Sequence, residues 1–168
     1  MPNEGRHTGD LVTEPLKSVI DPDRFTPRLL ALLSNALVWR ESHELRRNFG
    51  LGTNDWRVIS ALALRPGSSA TEVSDFLGVN KAVVSKSVSV LSAQQLIALL
   101  DGPRGSRPMY LTQSGASMHD AMMPISVRGQ EIILEGLPQA DVDRLQTLLT
   151  DMLQKLRRAQ LAEDSSPQ

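Results

Sequence analysis

Residues 69–80 constrain this chain more than any other stretch. Ser69-Ala70-Thr71-Glu72 reads as a capping box, in which the serine oxygen accepts from the backbone N–H three residues on and Glu72 reaches back. It opens a short helix with Val73, Phe76 and Leu77 directed inward. Gly78-Val79-Asn80 then forms a tight corner: Gly78 supplies the left-handed residue that ends one helix, and Asn80 caps the next, Lys81 to about Gln94. Two short helices joined by a three-residue turn containing glycine make a helix-turn-helix.

The flanks fit around that motif. Thr26 as N-cap with Pro27 at the first helical position announces a first helix, whose apolar stripe (Phe25, Leu29, Leu32, Leu33, Ala36, Leu37) carries on to Phe49-Gly50. Thr53 caps a second, with Asp55 near its positive end and Trp56, Ile59, Leu62 and Ala63 on one face, until Arg65-Pro66-Gly67 stops it. Beyond Gln95 the period changes. Leu96–Leu100 and Met109–Leu111 are short apolar runs around a turn-rich stretch, a hairpin by pattern. Thr112 caps a long helix through Met118, Met122, Ile125 and Ile132–Leu134, with a kink expected at Pro124, and a last helix carries Val142, Leu145, Leu149, Met152 and Leu156. The expected organisation is an arm over 1–24, a dimerisation helix over 25–50, a winged lobe over 53–112, C-terminal dimerisation helices over 113–160 and a tail over 161–168. The fold class is mainly α: a winged helix-turn-helix with long terminal helices and a small β-hairpin wing.

Composition narrows the function. A chain of 168 residues fits one ordinary domain, which buries roughly 70% of its unfolded surface. It holds no cysteine, so disulfides, thiolate zinc sites and cysteine nucleophiles are excluded. No apolar run is long enough to span a bilayer and the polar start lacks a signal-peptide core, so the cytoplasm is the expected location. His7, His43 and His119 lie on different elements, which gives a metal site little support, and Met118, Met122 and Met123 read as gap-filling core. With no glycine-rich phosphate loop, serine elbow or paired catalytic constellation, neither an enzyme nor a cofactor is expected.

A net charge of −1 announces no nucleic acid, so any such role must come from local placement. From Thr53 to Thr112 six cations face four acids, a small excess. On the second helix of the motif, Lys81, Ser85, Lys86 and Ser89 lie away from the stripe Val84, Val88 and Leu91, with no carboxylate between Lys81 and Leu100. Hydroxyls and long cations approach base edges and phosphates, whereas an acid is repelled. Ser69 and Thr71 can donate to phosphate at the start of the preceding helix, although capping alone explains Ser69. Arg104 and Arg107 sit among the glycines and prolines of the 101–108 loop, a tip of the kind that enters a minor groove. A solvated helix face and an ordinary exposed turn are the plain alternatives.

The stretch from Trp39 to about Gly115, and more loosely Phe25 to Gln160, resembles the multiple antibiotic resistance regulator (MarR) family. The resemblance is carried by Gly50-Leu51-Gly52-Thr53-Asn54-Asp55-Trp56-Arg57-Val58-Ile59, the Ser69–Leu77 helix, Gly78-Val79-Asn80-Lys81 with Val84-Ser85-Lys86, and Leu111-Thr112-Gln113-Ser114-Gly115 after an arginine-bearing wing. It implies a homodimer with interlocked terminal helices, a recognition helix in the DNA major groove, a wing arginine in the minor groove, and repression relieved by a small ligand, often an anionic aromatic. Two features depart from the family pattern. The wing is interrupted by glycine and proline instead of carrying a dense Asp-Arg cluster, leaving open whether Arg104 or Arg107 takes the groove role, and Lys86 stands where arginine is common.

Surplus apolar helix argues independently for a partner chain, since the stripes Phe25–Leu37 and Val142–Leu156 exceed what a small lobe needs to cover. For an effector, Trp39, His43, Arg46 and Arg47 on the first helix and Trp56 and Arg57 on the second are candidates, the cations pairing a carboxylate and the indoles stacking on a ring. Tryptophans in the core and solvated charges are the competing reading. Double-stranded DNA, a second copy and a small effector are thus the expected partners. A winged helix serving only protein interaction or dimerisation, without sequence-specific DNA binding, is the alternative.

Overall fold

In a computed structural model the described residues are 11–164, without the side chains of Arg104 and Asp164. The ends of the expected arm and tail, residues 1–10 and 165–168, lie outside them. Six helices and one two-stranded sheet follow in order: α1 Thr26–Phe49, α2 Thr53–Leu64, α3 Ala70–Leu77, α4 Lys81–Ala93, β1 Ile97–Leu99, β2 Met109–Leu111, α5 Gln113–Leu134 and α6 Gln139–Asp164. The chain divides into two compact units, Met1–Leu37 and Val38–Gln168, and the break falls inside α1.

In the first unit, residues 11–25 form no helix or strand, and a turn over 22–24 leads into α1. The Asp21 carboxylate accepts from Asp23 N at 3.0 Å. Arg28 donates to the Pro22 carbonyl at 3.0 Å and pairs with Asp23 at 3.6 Å. The Phe25 carbonyl accepts from the N–H groups of Arg28 and Leu29, so the chain enters the helix one residue earlier than expected, with Thr26 and Pro27 as its first two residues. Leu29, Leu30, Leu32 and Leu33 remain 40–50% exposed, which leaves this stripe without cover in the single chain.

The second unit is built on a core of Leu45, Leu51, Trp56, Ile59, Leu62, Val73, Val84, Leu91, Leu96, Met109 and Met122, all nearly or wholly inaccessible. Helix α4 packs against α2, α3 and β1, and α2 also packs against α5 and β2. The α3–α4 corner is held as the capping chemistry requires. Ser69 Oγ accepts from Glu72 N at 3.3 Å, Glu72 Oε2 accepts from Ser69 N at 2.8 Å, Gly78 sits at φ 63°, and the Asn80 side chain accepts from Ala82 N at 2.8 Å. One further bond was not foreseen: the buried Ser74 hydroxyl donates to the Val79 carbonyl at 2.6 Å, bracing the corner from inside.

The hairpin pairs Ile97 with Leu111, Ala98 with Tyr110 and Leu99 with Met109. On the other edge of β2, Gly67 N donates to the Met109 carbonyl at 2.8 Å and Met109 N to the Ser68 carbonyl at 3.0 Å. The segment between α2 and α3 thereby becomes a short third arm of the wing. At the tip a single 3-10 turn, Pro103–Gly105, is closed by Gly102 N donating to the Ser106 carbonyl at 2.9 Å.

After β2, Thr112 joins three structures. Its hydroxyl accepts from Gly115 N at 3.0 Å and donates to the Gln95 carbonyl at 2.8 Å, while its N–H donates to Leu96 O at 3.0 Å. This brings Gly115 so close to the strand that an ideal Cβ there would lie 1.9 Å from the Leu96 carbonyl oxygen, and only glycine fits. The Leu111–Gly115 motif is therefore a packing motif, a cap and a contact in five residues.

The final helix extends four residues past the expected end at Gln160. Val142 is buried, but Leu145, Leu148, Leu149, Met152, Leu153 and Leu156 are 38–58% exposed, an apolar stripe along a helix of 26 residues.

Candidate nucleic-acid interface

Helix α4 buries Val84 and Leu91. Its third core position is Ser87, 3% exposed, and not Val88, which is half-buried. At 100° per residue, Lys81, Ser85 and Ser89 fall in one stripe, with Lys86 at its edge. All four are exposed, and Asn80 is exposed at the helix start. Ser89 Oγ donates to the Ser85 carbonyl at 3.0 Å, a local bond that gives way readily to an outside acceptor. Among the described residues neither Lys81 nor Lys86 forms an ion pair, so both ammonium groups are available to phosphate.

On α3, Thr71 is exposed in the first turn. Ser69 is half-buried and committed to its capping box, with Oγ donating to Glu72 Oε2 at 2.7 Å. Bonds from the Ser69 N–H, chiefly, and from its hydroxyl hold the Glu72 carboxyl below its ordinary 4.5, against a small opposing effect of burial. At the wing, Arg107 is exposed and unpaired among the described residues, while the Arg104 side chain lies outside the description.

The six effector candidates separate into two groups. Trp39, His43, Arg46 and Arg47, with Ser42, line an open cleft of about 420 Å³ along the C-terminal half of α1. Trp39 is 75% exposed and stacks on His43, ring centroids 6.0 Å apart. Trp56 and Arg57 do not line it. Trp56 is 6% exposed in the core, its ring 5.3 Å from that of His119 on α5, and Arg57 is half-buried on α2. Arg65, absent from the sequence reading of any site, stacks its guanidinium 4.2 Å over the Phe76 ring and so joins the end of α2 to α3.

No group of three or more metal-ligating side chains occurs among the described residues, and none of their helices is long and apolar enough to cross a membrane.

Residues 49–108, from the end of α1 to the foot of the wing, match the family model of the MarR family. Over that stretch the chain is similar to the MarR family, and its fold is a winged helix. A solved MarR/EmrR family transcriptional regulator from Acinetobacter sp. ADP1 is 27% identical, with a TM-score of 0.77 over 83% of this chain and 99% of that one. MepR of S. aureus, solved with DNA, gives 18% identity and 0.71 over 80% and 98%. CouR of Rhodococcus jostii RHA1, solved with p-coumaroyl-CoA, gives 15% and 0.69 over 77% and 92%. The latter two establish likeness of fold. No curated protein matches the sequence. The MarR-family fold explains why a motif of local caps is followed by a hairpin and flanked by helices longer than the lobe requires.

Proposed function

We propose that this chain is a homodimeric DNA-binding transcriptional regulator, a repressor released from its operator by a small ligand. The observation that carries the reading is the exposed face of α4, where two lysines and two serines stand on a helix that carries no acid of its own, the lysines without an ion pair among the described residues, packed between α3 and the wing strand β1. In this reading α4 enters the major groove, Asn80 and Thr71 approach phosphates while Ser69 stays in its capping box, and Arg107 or Arg104 reaches the minor groove. The solved complex of MepR with DNA supports it by likeness of fold. Lysine is a point charge without the planar fork of arginine, so Lys86 contributes affinity more than bidentate reading of guanine.

Dimerisation is supported by the exposed leucine stripes of α1 and α6, which a second copy covers at lower cost than water does. A two-fold dimer meets half-sites about one helical turn apart, and so calls for a pseudo-palindromic operator. The Trp39–His43–Arg46–Arg47 cleft is the candidate effector site, the indole offering a stacking face and the guanidinium groups pairing a carboxylate. That CouR was solved with a coumaroyl thioester agrees with an aromatic ligand on this fold.

The test is mobility shift of the protein's own upstream DNA at low salt. A shifted band that competitor DNA of unrelated sequence fails to remove supports the reading. An unshifted band removes it and leaves a winged helix used for protein interaction. For the effector, a panel of aromatic acids is screened by thermal shift, because a ligand of the folded state raises the melting temperature by mass action.

A further inference from the structure

Helix α4 turns Val84, Ser87 and Leu91 into the core, and these three fix which residues face the other way. At about 100° per residue, the direction opposite their mean falls between Ala82 and Ser89, and both are exposed. Ser85 lies about 40° from Ser89, and Lys81 and Lys86 bound the exposed face on its two sides. The outermost group of the first turn is therefore the methyl of Ala82, with a cation on either side of it. Neither cation forms an ion pair among the described residues.

Groups that read a base through two fixed hydrogen bonds are missing from that turn. Residues 69–94 hold no arginine, and an ammonium meets guanine as a point charge without the planar fork. The amides of the same stretch are Asn80 and Gln94. Two-point recognition of adenine needs the amide oxygen as acceptor, and that of Asn80 is held in the helix cap, accepting from Ala82 N at 2.8 Å. Gln94 stands past the far end of α4, about 18 Å along the axis from Ala82, whereas the first residues of a recognition helix are the ones that meet base edges. The hydroxyls of Ser85 and Ser89 can serve any base and discriminate little. One base feature answers to what remains: the C5 methyl group of thymine, which is read by apolar contact with a small side chain.

We propose that Ala82 sets the base preference of α4: its methyl group packs against the C5 methyl of one thymine in each half-site, so that the operator is selected by thymine at that place and not by guanine. Lys81 and Lys86 hold phosphate on either side, and the short side chains between them let the helix come close enough to the groove floor for two methyl groups to touch. This base preference rests on the DNA-binding reading above.

Uracil differs from thymine by that methyl group alone and pairs in the same way, which supplies the test. The protein's own upstream DNA is prepared with scattered uracil in place of thymine and incubated with the full chain, and bound and free DNA are separated. Uracil at one thymine of each half-site should be depleted from the bound fraction. Remade with uracil at one of those two positions only, the operator should bind about fourfold more weakly, the effect of leaving one methyl group unburied, and with uracil at both about fifteenfold more weakly. Ala82→Gly should bind the thymine and uracil operators within twofold of each other. Ala82→Ser, which keeps the helix propensity that glycine loses, should likewise lose the preference. Thymine and uracil operators bound equally by the unaltered protein overturn the proposal and leave the regulator reading standing. A preference for thymine that persists in Ala82→Gly and Ala82→Ser proteins that melt cooperatively overturns it as well, because another group then reads the methyl. Failure to bind either DNA at low salt defeats the regulator reading and this one with it.

Discussion

Arg40 on α1 donates from Nη1 to the Ile125 carbonyl of α5 at 3.2 Å, across 85 positions of sequence. Its Nη2 pairs with Glu44 at 2.9 Å, and the next residue, Glu41, accepts from Ser126 Oγ. The two helices are therefore tied by adjacent polar contacts immediately after Pro124, in the part of α5 where proline removes one backbone donor. Because the guanidinium is partly exposed, the bond to Ile125 is screened, and Arg40→Leu should cost about 1 kcal/mol. Urea denaturation should show a lower midpoint with an unchanged slope.

A much larger effect is expected at Gly115. A methyl group there meets the Leu96 carbonyl oxygen at 1.9 Å and its carbon at 2.9 Å, both backbone atoms that cannot rotate aside. Gly115→Ala should force α5 from β1 and lower stability by about 3 kcal/mol, read as the unfolding free energy in urea. A change below about 0.5 kcal/mol would show that the strand gives way without cost.

These two sites show where the sequence was informative. The α3–α4 corner was legible because its chemistry is local: Ser69, Glu72, Gly78 and Asn80 each act on a neighbour within three or four residues. The cap on α5 was legible at Thr112 for the same reason. What Thr112 also does, binding Gln95 and Leu96, and why Gly115 must follow, depends on a strand sixteen or more residues away. The start of α2 shows the opposite failure. Threonine is a good cap, yet Gly52 takes that position, with Asp55 Oδ2 on its N–H, while Thr53 buries its hydroxyl without a hydrogen-bond partner among the described residues. Helical periodicity alone also put Val88 in the core, where packing selected Ser87. Trp56, a ligand candidate by residue type, is core because α5 covers it.

Glu72 gives a pH-dependent prediction. Its folded pKa lies below the ordinary 4.5, so the capping box stabilises the protein fully above that value and loses its contribution as the pH falls through the depressed one. Ser69→Ala removes the hydroxyl bond and leaves the larger backbone one, so the Glu72 pKa should rise only part of the way to 4.5. A carboxyl-carbon NMR titration of both proteins reads it directly, and identical titration curves would contradict the assignment.

The exposed stripe of α6 makes a prediction about assembly. By sedimentation equilibrium the protein should have twice the 18.4 kDa chain mass. Placing a charge in the stripe, as in Leu149→Glu or Leu153→Glu, should weaken association by at least tenfold without unfolding the winged lobe, whose core contains neither residue. A protein that sediments as a single chain at micromolar concentration would leave those leucines without a covering partner.

The central claim is that the free cations of α4 and the wing bind DNA phosphate. Fluorescence anisotropy with the protein's own upstream DNA over a series of salt concentrations tests it most directly. The logarithm of the association constant should fall linearly with the logarithm of salt, and Lys86→Ala and Arg107→Ala should each lower affinity and reduce the slope by about one. Binding that is absent at low salt, or that neither substitution alters, would contradict it.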